Sequence, residues 1–99
     1  MSTNAKRYLE KTRGKLTLGQ AIRSIRLCEE QSQTVFAKKL QISTQYLCDL
    51  EHDRKSVSPK KALRIAEILG YAPEQFVALA IQDSLNREHI HMLVEIKVA

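Results

Sequence analysis

Apolar residues recur at helical spacing through most of this chain. Leu18, Ile22 and Ile25, with Cys28 one turn further on, form a stripe with Arg23 and Arg26 between them. That spacing predicts an amphipathic helix over Thr17 to Glu29. Ser32 reads as the N-cap of a short second helix whose apolar face is Val35, Phe36, Ala37 and Leu40. Ser43 caps a third, in which Leu47 and Leu50 sit three apart. The polar run His52-Asp53-Arg54-Lys55-Ser56 reads as a loop. Ser58-Pro59 then pairs a capping hydroxyl with the ring that best fits a first helical position. Ala62, Ile65, Ala66 and Leu69 line this fourth helix, and Gly70 stops it in the left-handed conformation. Pro73 opens a fifth helix that carries Phe76, Val77, Leu79, Ala80 and Ile81 and ends near Asn86.

The last segment has a different period. Met92, Val94, Ile96 and Val98 alternate with Leu93, Glu95 and Lys97, a period of two that predicts a strand. No other segment offers it a partner, and unpaired strand edges leave backbone donors and acceptors unmet. The expectation is an antiparallel ribbon with a two-fold mate, in which those four residues cover Val77, Leu79 and Ile81 of the fifth helices. The fold class predicted is therefore mostly α: five helices with a C-terminal β-strand that pairs across a homodimer. Residues 1–15 read as a basic, flexible arm, 16–87 as the helical domain and 88–99 as the dimerisation strand.

Composition narrows the picture further. Ninety-nine residues suit one small domain, and such a chain buries only about 60–70% of its unfolded surface. The net charge of +5 is uneven: residues 1–26 carry seven Lys or Arg against Glu10 alone. Lys6, Arg7, Lys11, Arg13 and Lys15 would let the arm follow a nucleic-acid groove. The longest apolar stretch, Phe76 to Ile81, is far short of the ~20 residues of a membrane span. Residues 1–26 lack the apolar block of a secretory signal. Cys28 and Cys48 have no second pair and no histidine at metal spacing; the spacing leaves a disulfide between them open, and the expectation is two reduced thiols of a cytoplasmic protein.

Catalytic chemistry is thin. The chain has no Gly-rich phosphate loop, nucleophile elbow, metal motif or cluster of carboxylates. His89 and His91 would share one face of a strand, but no third ligand is evident. Asp49 beside Cys48 opposes a thiolate there. No enzyme, metal or cofactor is expected. The middle of the chain is more specific. Phe36, Leu40, Ile42, Leu47 and Leu50 are large and apolar around the turn Leu40-Gln41-Ile42-Ser43, and Ala37 is small where two helices must approach. Such a pair can project its second helix into a major groove.

The stretches LGQAIRSIR, SQTVFAKKLQIST, YLCDLEHDRKSVSP and ALRIAEILGYAPEQF, within residues 18–76, resemble the Cro and phage-repressor (XRE) family of helix-turn-helix regulators. Gln33 falls at the family's glutamine heading the second helix, Glu51 at the glutamate closing the recognition helix, and Leu69-Gly70 at the end of the fourth. Gln41 and Asp53 stand where the family commonly has glycine, and Glu30-Gln31 replace a Gly-apolar pair. The resemblance implies that Ser43, Thr44, Gln45, Cys48 and Asp49 meet base edges. Gln45 has the donor and acceptor to pair with adenine, and Asp49 either accepts from cytosine or pairs with Arg54 or Lys55. It implies that Gln33, Tyr46, Arg54, Lys55 and Lys60 meet phosphates. The function expected is a sequence-specific transcriptional regulator, a repressor that binds a palindromic duplex operator as a homodimer. The alternative is the antitoxin of a toxin–antitoxin pair, with a toxin protein as its further partner.

Overall fold

The computed structural model describes residues 16–99, which form five α-helices: α1 Leu18–Cys28, α2 Gln33–Leu40, α3 Thr44–Glu51, α4 Pro59–Leu69 and α5 Pro73–Arg87. The expected arm, residues 1–15, lies outside the described residues. Each of the first four helices starts on a side-chain cap. Thr17 makes a capping box with Gln20, and Ser32, Ser43 and Ser58 accept from the backbone N–H three residues on. Pro73 opens α5 without a side-chain cap, which its fixed φ and missing N–H make tolerable.

The start of α1 is held twice more. The Thr17 hydroxyl donates to Asp53 Oδ1 at 2.7 Å, and the Leu18 N–H donates to Asp83 Oδ2 at 2.9 Å. The second bond gives a partner to one of the donors that every helix start leaves open. Burial at this spot holds the Asp83 carboxyl above the usual carboxylate range.

Phe36, Phe76, Leu18, Ile22, Ile25, Leu40, Leu47, Leu50 and Ile65 are the large, fully buried side chains. They fill the space where α4 packs on α5, α1 on α3 and α5, and α2 on α3 and α4. Two apolar positions expected inside are outside. Val35 is 55% exposed and Cys28 is exposed, because each lies at the rim of its helix's apolar stripe. No helix among the described residues is long and apolar enough to cross a membrane.

The expected C-terminal strand does not form: among the described residues all regular structure is helical. Residues 88–99 lie beside α5, and two of the backbone groups that a second strand would have paired meet one side chain instead. Gln82 Oε1 accepts from the Val94 N–H at 2.8 Å, while its Nε2 donates to the Met92 carbonyl at 2.8 Å. This amide acts as a single rung of a ladder. Val94 and Ile96 are half-buried in a groove of about 630 Å³ lined also by Ala78 and Leu79, whereas Met92 is 67% and Val98 79% exposed. Of the alternating set Met92, Val94, Ile96 and Val98, only the middle two are partly covered, and within one chain. The ribbon across a dimer is overturned, and these residues make no such contact.

Among the described residues, four non-glycine residues take positive φ: Glu30 (54°), Gln41 (61°), Asp53 (57°) and His89 (58°). Three of them are positions where the sequence departs from glycine or a glycine-containing pair. Left-handed backbone costs a residue with a Cβ on the order of 1–2 kcal/mol. Gln41 has a side-chain bond with Arg64 and Asp53 with Thr17. The exposed Glu30 has no side-chain hydrogen bond or ion pair among the described residues. Glu30→Gly should therefore stabilise the fold by roughly 0.5–1 kcal/mol, the relief exceeding the freedom that glycine adds to the unfolded chain. A raised urea midpoint with an unchanged slope would register it.

Candidate nucleic-acid interface

The turn Gln41–Ser43 follows α2 with the Gln41 N–H bonded back to Lys38 O and the Ile42 N–H to Ala37 O. It sets α3 across α2 with its first turn outward. Thr44 and Gln45 are exposed there, and Ser43, also exposed, uses its hydroxyl to accept from the Tyr46 N–H at 3.0 Å. Leu47 and Leu50 on the opposite side are buried. Cys48 is half-buried and Asp49 only 8% exposed, so the second turn of this face is more enclosed than its first.

The loop after α3 encloses it. Arg54 Nε donates to Asp49 Oδ1 at 2.9 Å, its Nη2 reaches Cys48 Sγ at 3.3 Å, and Lys55 Nζ lies 3.5 Å from Asp49 Oδ2. Gln45 Nε2 donates to the same Oδ1 at 3.1 Å. The Arg54 guanidinium, with help from Gln45 and Lys55, holds the Asp49 carboxyl below the usual carboxylate range. His52 Nδ1 donates to the Cys48 carbonyl at 2.8 Å.

A cationic edge continues into α4. Tyr46 is half-buried, with Lys61 Nζ 4.5 Å and Lys55 Nζ 5.7 Å from its ring centre. Cations in that position are attracted by the ring face. Lys60 is exposed in the first turn of α4. On the far side of α3, Gln33 at the head of α2 donates through Nε2 to Glu51 Oε1 at 3.1 Å. First-turn N–H groups of a helix favour an anionic oxygen. The structure therefore brings Gln45, Arg54 and Lys55 together at Asp49, with Lys55 and Lys61 at the Tyr46 ring, while Gln33 is tied to Glu51 and Lys60 shares no such contact among the described residues.

Glu51 is the group whose role the sequence did not expose. Its side chain has no solvent exposure and takes two bonds from Arg26, Nε to Oε2 at 2.7 Å and Nη2 to Oε1 at 2.9 Å. Arg26 Nη1 also donates to the Gln31 carbonyl at 2.9 Å. In sequence Arg26 stands only as a cation between apolar positions; in the structure it joins α1 to the ends of α2 and α3. A partner twenty-five residues away leaves no local signal. Lys61, beside Lys60 just beyond the loop in sequence, differs: its cation was legible, and only its place over Tyr46 required the structure.

Residues 22–76, more than half of the chain, match the sequence model of a family described as Helix-turn-helix. No curated protein and no solved structure matches the chain.

Proposed function

Since the chain belongs to the helix-turn-helix family, in its Cro and phage-repressor form, a non-catalytic DNA-binding family, we propose that it is a sequence-specific transcriptional repressor. It binds a palindromic operator as a homodimer, because one small module buries too little surface for tight specificity. One observation carries this reading: the first turn of α3 offers Thr44 and Gln45 to solvent beside the cationic edge of Arg54, Lys55 and Lys61. In this proposal Thr44 and Gln45 meet base edges, with Ser43, Cys48 and Asp49 beside them. Gln33, Tyr46, Arg54, Lys55 and Lys60 hold the flanking phosphates.

Selection of bound duplexes from a random pool tests it. A palindromic enriched motif supports the repressor, and no enrichment removes it. If six phosphates are neutralised, log affinity should fall with log salt at a slope of roughly −5. Gln45→Ala should cost about 1–3 kcal/mol at one base pair and leave that slope nearly intact. Equal losses on every sequence would show that Gln45 is off the reading face.

A second reading is an antitoxin that also binds a toxin protein. Exposure of Met92, Leu93 (87%) and Val98 next to an apolar groove favours it. Co-purification with the product of an adjacent small gene, lost on deletion of residues 91–99, would support this reading over the simple repressor.

A further inference from the structure

Among the described residues, the exposed amide of Gln45 makes its side-chain hydrogen bond to one anion. Asp49 Oδ1 lies 3.1 Å from Gln45 Nε2 and 2.9 Å from Arg54 Nε, and Oδ2 lies 3.5 Å from Lys55 Nζ. An ionised carboxylate only accepts, so the amide must turn its nitrogen toward Asp49; reversed, two oxygens would face each other. One N–H is engaged there. The carbonyl Oε1 and the second N–H remain, one acceptor and one donor. That is the pair that matches N6 and N7 of adenine, whereas guanine offers two acceptors at the same edge.

We propose that Asp49 is a positioning residue that determines specificity: it fixes the Gln45 amide in the adenine-reading sense and does not read a base pair of its own. This rests on the DNA-reading function proposed above. Two features of the site fit the role. Asp49 is nearly covered, which suits a support better than a contact, and Arg54 and Lys55 close over it from the loop. Its charge also offsets one of those two cations, which lowers attraction to DNA of any sequence and so widens the gap between right and wrong sites.

Two measurements test the proposal. In the free protein, the side-chain amide resonance of Gln45 should follow the titration of Asp49, at a pH below the ordinary carboxylate range, and that response should vanish in Asp49→Asn. A Gln45 amide indifferent to the titration overturns the proposal without any DNA present. In selections from random duplexes, Asp49→Asn should lose the adenine preference at one position by about tenfold. It should bind unselected DNA more tightly than the wild type. In a Gln45→Ala background the same change should leave every base preference unaltered. If Asp49→Asn shifts the preference at a second base pair, and does so in Gln45→Ala as well, Asp49 reads directly and the proposal is wrong. If the wild type enriches no sequence, the DNA-reading function falls, and the resonance of Gln45 still decides whether Asp49 fixes it.

Discussion

Glu51→Ala is expected to remove about 3–5 kcal/mol of stability, the cost of leaving one half of a buried ion pair behind. Arg26 is 11% exposed at its side chain and Glu51 not at all, so little water can reach the guanidinium once the carboxylate is gone. Gln33 Nε2 loses its acceptor in the same step. A small domain has roughly 5–15 kcal/mol in total, so the variant should melt roughly 12–40 °C lower by circular dichroism. The pair itself need not be a net gain. Replacing both partners with apolar residues of similar size, Arg26→Met with Glu51→Leu, should recover most of the loss, because two desolvated charges leave together. A double variant as unstable as Glu51→Ala would mean that the bonds to Gln31 and Gln33, rather than the charges, hold α1 to the ends of α2 and α3.

Gly19→Ala should be nearly as damaging, although alanine favours a helix interior over glycine by about 1 kcal/mol. A Cβ at residue 19 would lie 1.8 Å from the Leu50 carbonyl oxygen, 2.8 Å from its carbon and 3.2 Å from Asp53 Oδ1. The first two are backbone atoms of α3, bonded into a helix and unable to rotate aside. Helix α1 must then withdraw by more than about 1 Å to restore ordinary contact. A cost at or above the ~3 kcal/mol upper end of ordinary overpacking follows. The opened seam is the one that seats α3, which carries Thr44 and Gln45, so DNA affinity should drop even at temperatures where the variant stays folded. Calorimetry and binding to a selected operator would separate these effects. Wild-type melting and affinity in Gly19→Ala would place α1 further from α3 than the structure has it.

How much of this was legible beforehand depended on the range of the interaction. Ser32, Ser43, Ser58 and Gly70 act within one turn of themselves, and the structure has each in the capping role that its neighbours imply. The period of 3.6 marked Leu18, Ile22, Ile25, Phe36, Leu47, Leu50 and Ile65, all now buried. The period of two in residues 92–98 predicted a strand that does not form, and of its apolar set only Val94 and Ile96 are half-buried. It carried no information about what covers the buried face, and Gln82, ten residues upstream of Met92, had no feature to distinguish it from any helical glutamine. Asp49 was legible as an oddity among reading residues, with Arg54 and Lys55 as its alternatives to a base. That both cations and Gln45 meet it together required the loop's path. Arg26 and Glu51 share no local pattern, so only the approach of α1 to α3 reveals them as a pair.

The left-handed residues also bear on how such a domain can change over generations. Glu30 and Asp53 are each one base substitution from a glycine codon, but the two steps differ in outcome. At Asp53, glycine would relieve the backbone while removing the acceptor of Thr17 and Gln20 at the start of α1. At Glu30 nothing is forfeited. A lineage that acquires glycine there gains a margin of stability outside α3, and with it tolerance for a costly change on the reading helix. New operator preferences then become reachable through an intermediate that still folds.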